Sequence, residues 1–181
     1  MAARILPTPE QLRELLRYEP DTGRLFWRPR PREMFNTDRS AATWNKRFAG
    51  QQAFATKHRQ GYLCGVVFYE KVLAHRAAWA LHHGEWPDEQ IDHVNGVKTD
   101  NRIANLRAAT HAQNLHNMRA HTGNPSKLKG VTFDKARGKW MARIMTDRKE
   151  LNLGRFDTPE EAHAAYCAAA RKHHGEFAKT Q

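Results

Sequence analysis

The sequence predicts an α+β protein in which three structured parts follow one another along the chain. Two short strand segments flank a turn-rich loop and lead into a capped helix between residues 92 and 117. Three alternating strand segments precede a second capped helix that starts at Thr158. A basic stretch with Gly, Asn and Pro separates these two parts. We therefore expect a mixed α/β lead-in (1–60), a ββα module (61–118), a linker (119–127), and a three-stranded antiparallel sheet packed on one helix (128–181).

Charge and composition restrict the class of partner. The 181 residues carry a formal net charge of +11, which favours a polyanion such as double-stranded DNA. No apolar run is long enough to span a bilayer and no apolar leader is present, so we expect an intracellular, cytoplasmic protein without a membrane partner. Cys64 and Cys167 lie far apart without a CxxC pattern, which supports neither a disulfide framework nor a zinc ribbon.

The lead-in begins with a helix. Thr8-Pro9-Glu10-Gln11 has the composition of a capping box, and the helix is expected to end near Tyr18. Its apolar face is formed by Leu12, Leu15 and Leu16. Asp21-Thr22-Gly23 predicts a turn into a strand at 25–27. The proline-broken basic run at 28–32 either contacts phosphate or is an exposed loop without a ligand.

A hairpin and a helix are expected ahead of the loop. Alternation over residues 62–73 predicts the hairpin, with Val66, Phe68 and Val72 as core contacts. A helix at about 75–83 follows and is closed by Gly84. His75 on this helix is either a packed supporting residue or a catalytic one.

Candidate chemistry concentrates around Asp92 and His93. A carboxylate gives a hard oxygen to a divalent cation, and an imidazole takes a proton from water near neutral pH. Residues 105–109 suit a return strand, and Thr110 is a plausible N-cap for the next helix. If the hairpin folds onto that helix, the amide oxygen of Asn114 can meet Asp92 across one cation. The alternatives to Asn114 are Asn117 and His116.

The C-terminal part predicts strands at 129–133, 138–145 and 150–154. Alternation along the second strand assigns Trp140, Ala142 and Ile144 to the core and Met141, Arg143 and Met145 to the opposite face. Thr158-Pro159-Glu160-Glu161 begins a helix with an N-cap and an N1 proline.

The stretch 75–117 resembles an HNH endonuclease, the ββα-metal nuclease motif, in the form found in phage and intron-encoded homing enzymes. The residues that carry the resemblance are Ala74-His75-Arg76, Asp92-His93, Asn101, Asn105-Leu106-Arg107 and Gln113-Asn114-x-x-Asn117. The resemblance implies that His93 is the general base, that Asp92 and Asn114 are metal ligands, and that Asn105 orients the loop. The last position of the family pattern is often His and is Asn here, which leaves Asn114 and Asn117 as alternative ligands.

Residues 126–178 resemble an apetala-two/ethylene-response-factor DNA-binding domain. The matching residues are Lys129-Gly130-Val131, Gly138-Lys139-Trp140, Leu153-Gly154-Arg155-Phe156, Thr158-x-x-Glu161-Ala162 and Ala165-Tyr166. Plant members read bases through Arg and Trp on the exposed sheet face, and Thr132, Arg143, Met145 and Asn152 occupy those places here. The resemblance therefore implies the fold and a DNA-binding face without the plant sequence preference.

Together these observations predict a metal-dependent DNA endonuclease of nicking or homing type, targeted by its C-terminal domain. The expected ion is Mg²⁺, with Mn²⁺ as the alternative, and the protein is a monomer or a homodimer. The candidate DNA contacts are Arg143, Lys135, Arg137, Arg155, Thr132, Asn152 and Arg107. The alternative function is a non-catalytic DNA-binding regulator or accessory protein with a vestigial HNH module.

Overall fold

The computed structural model describes residues 6–117, 126–146 and 149–180. The chain forms two compact units, one up to Ala108 and one from Ala109 onward, and each is described by itself. The α+β class predicted from the sequence is confirmed. No helix within the described ranges is long and apolar enough to cross a membrane.

The first unit contains three helices and three small sheets among its described residues. Its elements are α1 (Pro9–Leu15), β1 (Leu16–Glu19), β2 (Arg24–Trp27), a 3-10 turn (Arg32–Met34), α2 (Asp38–Phe48), β3 (Gln52–Ala53), β4 (Thr56–Lys57), β5 (Leu63–Val67), β6 (Glu70–Leu73), α3 (Ala74–His83), β7 (Gln90–His93), a 3-10 turn (Ile103–Asn105) and β8 (Leu106–Ala109). The sheets are β1-β2-β3, β4-β5-β6 and β7-β8. One apolar cluster joins α1, the first two sheets and α3, and thereby fixes the segment that precedes β7.

The first helix is shorter than predicted. Thr8 caps α1 through a capping box with Gln11, as expected, but the helix ends at Leu15 rather than near Tyr18. Leu16 begins β1, which pairs antiparallel with β2 in the register Leu16↔Trp27. Sheet pairing overrides the local helical pattern here, while Leu12, Leu15 and Leu16 are all buried as predicted.

The hairpin at 62–73 exists, but two of its predicted core contacts are wrong. Val72 is buried, whereas Val66 is 57% exposed and Phe68 45% exposed. Val67 is the buried neighbour instead, and it pairs with Glu70 across a two-residue turn. Phe68 forms this turn together with Tyr69, both with positive φ. Because side chains alternate between faces, a shift of one residue exchanges the core and solvent positions.

The second unit contains one short helix, a three-stranded sheet and one long helix. Its elements are α4 (His111–His116), β9 (Val131–Asp134), β10 (Lys139–Thr146), β11 (Lys149–Phe156), α5 (Pro159–His174) and a 3-10 turn (Gly175–Phe177). The antiparallel order is β9-β10-β11, and α5 packs on the sheet as predicted. Thr158 caps α5 through its capping box with Glu161. Most of the predicted linker lies outside the described residues, and the boundaries between the four predicted segments stay predictions.

The core of the second unit follows the predicted face of β10, with one addition. Ala142 and Ile144 are buried, and Trp140 is half-buried against the same cluster. Met141 is also buried although it was assigned to the opposite face. The Arg143 side chain covers it, with Nε 3.4 Å from the Met141 sulfur. Long arginine side chains commonly bury an apolar stem or neighbour in this way.

Candidate active site and nucleic-acid interface

Asp92 and His93 occupy the end of β7 and are both buried, each 4% exposed. Ile91 packs beneath them against Leu106 of β8, the strand that pairs with β7. Adjacent strand residues point to opposite faces, so burial of both means that both faces of β7 are covered here. A carboxylate and an imidazole are therefore held in a largely desolvated setting.

His93 has a fixed orientation. Its Nε2 lies 3.1 Å from Oδ1 of Asn101, which is itself only 2% exposed. An amide oxygen can only accept a hydrogen bond, so Nε2 of His93 carries the hydrogen. In the neutral imidazole, Nδ1 is then the nitrogen with the lone pair. This geometry assigns to Nδ1 the capacity to accept a proton.

The lead-in hairpin holds Asn101 in place. The hydroxyl of Tyr18 donates to the Asn101 carbonyl oxygen at 2.7 Å, and the Ile103 amide donates to Pro20 at 3.1 Å. Gly23, with φ of +71°, approaches so closely that a Cβ there would lie 2.4 Å from the Arg102 nitrogen. The sequence analysis did not predict these roles of Tyr18 and Asn101, because the two residues are 83 positions apart and no local pattern connects them.

The Tyr62 and His75 rings lie next to the His93 ring. Tyr62 and His75 lie with ring centroids 5.8 Å and 5.1 Å from it. Burial lowers the pKa of His75 to about 3, assisted by the charges of His93 and Arg76, so this ring is neutral. Burial also lowers the pKa of His93, while its hydrogen bond to Asn101 and the charge of Asp92 oppose that shift. Of the two alternatives for His75, the structure favours the packed supporting residue.

Arg107 forms an ion pair with Asp92. Its Nε and Nη2 donate to the same oxygen, Oδ2, at 2.9 Å and 2.8 Å. The two side chains are 15% and 5% exposed. The Arg107 guanidinium, which was predicted to contact DNA, therefore lies at the carboxylate that was predicted to hold the metal, where it neutralises a buried charge.

Asn105 closes the loop between β7 and β8. Its side-chain amide donates to the Asp100 carbonyl oxygen at 2.7 Å, and its Oδ1 accepts from the Asn95 amide at 3.0 Å. Its own carbonyl accepts from Val94 at 2.9 Å. Asn105 therefore links three points of the loop through hydrogen bonds, and the orienting role that the resemblance implies for it stays a prediction.

The helix α4 carries the remaining candidate ligands in the second unit. Asn114 is half-buried, and Asn117 is buried at the C-cap. The His116 ring stacks on His174 at 3.6 Å, and its carbonyl accepts from Lys129 Nζ at 2.5 Å. Asp92 and His93 belong to the first unit, so shared ligation of a cation with Asn114, Asn117 or His116 stays a prediction.

The chemistry of these donors suits a hard divalent ion. Residues 6–117, 126–146 and 149–180 contain no cluster of three His, Cys, Asp or Glu side chains placed to hold a metal. The predicted donors are instead the Asp92 carboxylate together with the amide oxygen of Asn114 or, in its place, that of Asn117 or the His116 imidazole. Mg²⁺ is typically held by one or two carboxylates together with waters and substrate phosphate oxygens. A site completed by the substrate is therefore compatible with this donor set.

The predicted DNA-binding residues of the second unit share one sheet face or its edge. Cross-strand partners point to the same side, and Arg143 pairs with Asn152 while Met141 pairs with Thr132 and Arg155. A bulge between Ala142 and Arg143 adjusts the register. Lys135 and Arg137 lie in the turn between β9 and β10 and are exposed.

Acidic neighbours partly neutralise this face. Arg143 donates to Glu150 at 2.9 Å, and Arg155 donates to Asp134 at 3.0 Å. The hydrogen bond from Arg155 lowers the pKa of Asp134, and the charge of Arg137 adds to the shift. Asn152 Oδ1 accepts from the Gly154 amide within the bulge at 3.0 Å. The face is basic, and its surface ion pairs can be replaced by contacts with other charged groups.

Two family models match separate parts of the chain. Residues 72–116 match the HNH endonuclease model, and residues 126–176 match the AP2 domain model. Both resemblances derived from the sequence are thereby confirmed. HNH and AP2 domains both bind DNA. The homing type and the identity of the ion stay predictions.

Two known proteins are similar over much of the chain. Protein 3.8 of Escherichia phage T7 is 31% identical over 113 residues, which cover 62% of this chain and 93% of that protein. The AP2-like ethylene-responsive transcription factor ANT of Arabidopsis thaliana is 30% identical over 146 residues, or 77% of this chain. The match covers 26% of that plant protein, so the similarity concerns a part of it.

Proposed function

The chain belongs to the same family as protein 3.8 of Escherichia phage T7, and on this premise we propose that it is a metal-dependent DNA endonuclease. The reaction is hydrolysis of a phosphodiester bond by water. The AP2 domain holds the nuclease module on duplex DNA. One HNH site per chain corresponds to one nick per binding event for a monomer, and a homodimer would cut both strands.

In the proposed mechanism His93 is the general base. Its Nδ1 removes a proton from the attacking water, because the hydrogen bond to Asn101 assigns the ring hydrogen to Nε2. Asn101 is a positioning residue that acts through His93, and the Tyr18 hydroxyl and the lead-in turn at Gly23 hold it in place. The base is thereby oriented before substrate arrives.

Asp92 is the proposed protein carboxylate that holds the cation, with Asn114 as the second ligand or Asn117 or His116 in its place. A bound Mg²⁺ or Mn²⁺ would stabilise charge on the scissile phosphate and the leaving oxygen. Arg107 fixes the Asp92 carboxylate through Oδ2 and supplies positive charge at the same place. Asn105 keeps the loop between the two strands closed.

The observation that carries this proposal is that His93 is buried and oriented by its hydrogen bond to Asn101, next to an Asp92 that forms an ion pair with Arg107. Burial of an imidazole and a carboxylate is unfavourable unless both are hydrogen-bonded, and here both are. The neutral form of His93 is favoured because burial lowers its pKa. A water-activating base requires that neutral form.

Cleavage of supercoiled plasmid tests the proposal. Wild type and His93→Ala are incubated with Mg²⁺, with Mn²⁺ and with EDTA, and nicked and linear products are separated. We expect metal-dependent nicking by wild type that the variant lacks, with DNA retention in a gel shift unchanged. DNA retention by wild type without cleavage in either metal would support the accessory DNA-binding protein instead.

A further inference from the structure

The segment 28–50 contributes almost nothing to the core. It leaves the sheet after β2 and returns before β3, where the Trp27 amide donates to Gln51 and the Gly50 amide donates to Trp27. Ala41 is the one buried residue of this segment. Neither family model covers it. The main apolar cluster of the first unit contains no residue of this excursion, which includes the whole of α2, and the aromatic rings of the excursion contact one another and Trp27 instead.

The excursion is rich in arginine and aromatic residues. Its basic side chains are Arg28, Arg30, Arg32, Arg39, Lys46 and Arg47, against the acidic Glu33 and Asp38. Arg32 pairs with Asp38. Five of the six cations are arginines, and the planar guanidinium matches phosphate oxygens better than an ammonium does. The excess of positive charge suits a polyanion.

Part of this surface is rigid. The Arg30 guanidinium lies 4.0 Å from the Trp44 ring and 5.1 Å from the Trp27 ring. The Asn45 side chain accepts from the Arg30 amide at 2.8 Å and donates to the Arg30 carbonyl at 3.0 Å. These contacts pin the proline-broken basic run against α2. A basic loop that only faces solvent would not require these ring contacts and hydrogen bonds.

The exposed face of α2 carries a shallow groove. Arg39, Thr43 and Arg47 follow one another at four-residue spacing on this face. A cavity of about 480 Å³ beside them is lined by the Phe35, Trp44 and Phe48 rings and by the hydroxyls of Thr37 and Ser40. Two exposed arginines, Arg39 and Arg47, therefore border a groove whose aromatic floor is formed by Phe35, Trp44 and Phe48.

We propose that this excursion is a second DNA-binding surface, which contacts the sugar–phosphate backbone of duplex DNA. Arg39 and Arg47 bind phosphates, and the aromatic floor packs against the deoxyribose. The inference rests on the proposed function, in which duplex DNA is the substrate. Backbone contacts of this kind position a protein on its site without reading sequence. The lead-in thus helps to place the nuclease module.

The test is the salt dependence of DNA binding by the full chain. Fluorescence anisotropy with a labelled duplex in EDTA measures Kd over a salt series, which separates binding from cleavage. The slope of log K against log salt is negative, and each lost phosphate contact reduces its magnitude by about 0.9. For Arg39→Gln with Arg47→Gln, we expect a slope shallower by about 2 and binding at least about tenfold weaker at low salt.

A charge-matched control separates contact from net charge. Arg24→Gln with Arg171→Gln removes two exposed arginines, one from β2 and one from α5, outside the excursion. We expect this control to keep a slope near that of wild type. Far-ultraviolet circular dichroism and thermal melting establish that both variants are folded.

The outcomes separate this inference from the proposed function. If wild type binds duplex DNA and the α2 variant keeps its slope, or if both variants change equally, the second surface is refuted while the nuclease proposal stands. If wild type does not bind duplex DNA at all, both fail. A shallower slope in the α2 variant alone supports the second surface even where no cleavage occurs.

Discussion

The loop at the end of β7 and the exposed face of the β9-β10-β11 sheet treat polar side chains in opposite ways. Around the loop, Asp92, His93, Asn101 and Asn105 are all less than a tenth exposed, and their hydrogen bonds are made within the protein. On the sheet, the side chains of Arg143 and Arg155 are 42% and 38% exposed, and they pair with the exposed Glu150 and with the less exposed Asp134.

The difference follows from what each region has to do. A proton-accepting imidazole must have one orientation and one tautomer before the reaction begins, and burial among fixed partners achieves this. A DNA-contacting face must exchange its partners for phosphates, so weak surface ion pairs are suitable there. Substitutions in the loop should therefore change turnover, and substitutions on the sheet should change binding.

The largest effect is expected for His93→Ala. Loss of a general base lowers kcat by about 100- to 10,000-fold, while Kd for DNA stays within about twofold of wild type. His82→Ala, at an exposed position on α3, is the matched control and should keep full activity. Single-turnover cleavage and anisotropy measure the two quantities. An equal loss of kcat in His93→Ala and His82→Ala would show that the effect is not specific to the loop at the end of β7.

The buried His75 predicts a pH-dependent stability of the first unit. Its pKa is about 3 in the folded protein and about 6.5 when unfolded, so the unfolded state binds the proton first as pH falls. The stabilisation is complete above pH 6.5 and is lost as pH falls towards 3, by an amount on the order of 4 kcal/mol.

The variant His75→Phe isolates this contribution. Between pH 7 and pH 5, wild type should lose about 2 kcal/mol more unfolding free energy than the variant. Urea denaturation at the two pH values measures the difference. Parallel pH profiles for the two proteins would show that the His75 ring is not held in its neutral form.

Asn101→Ala should lower kcat by about 10- to 100-fold with KM almost unchanged, because supporting partners of a reactive ring have effects of this size. Asn101→Asp, which keeps an oxygen acceptor, should recover part of the activity. ¹⁵N spectra of the histidines at pH 8 report whether the His93 hydrogen stays on Nε2. An unchanged His93 signal in Asn101→Ala would show that this side chain does not set the tautomer.

The smallest effect is expected on the sheet. Arg155→Ala and Arg143→Ala each should weaken DNA binding by about three- to tenfold, with the rate of the bound complex unchanged. Glu150→Gln, which removes the acidic partner of Arg143, should instead strengthen binding slightly. Anisotropy titrations compare the three variants. A loss of kcat in Arg143→Ala would contradict the division between a catalytic loop and a binding face.

Elements with local signals could be predicted from the amino-acid sequence alone. Thr8, Thr110 and Thr158 each cap the start of a helix as predicted, and the structure adds a capping box at Thr110 to the two that were expected. The Gly84 stop also lies where it was expected. Capping depends on residues three positions apart, so one short segment contains the whole interaction. The placement of Asp92 and His93 on a strand followed by a turn could also be predicted, because the strand and turn residues adjoin one another in the sequence.

Features that depend on partners distant in sequence followed from long-range contacts instead. Pairing with β2 ended α1 early and made Leu16 the start of a strand. The turn at Phe68 placed Val67 rather than Val66 in the core. The contact of Tyr18 with Asn101, and through it the orientation of His93, joins residues that no local pattern connects. Local propensities differ by only about 1 kcal/mol per residue, so long-range pairing and burial override them wherever the two disagree.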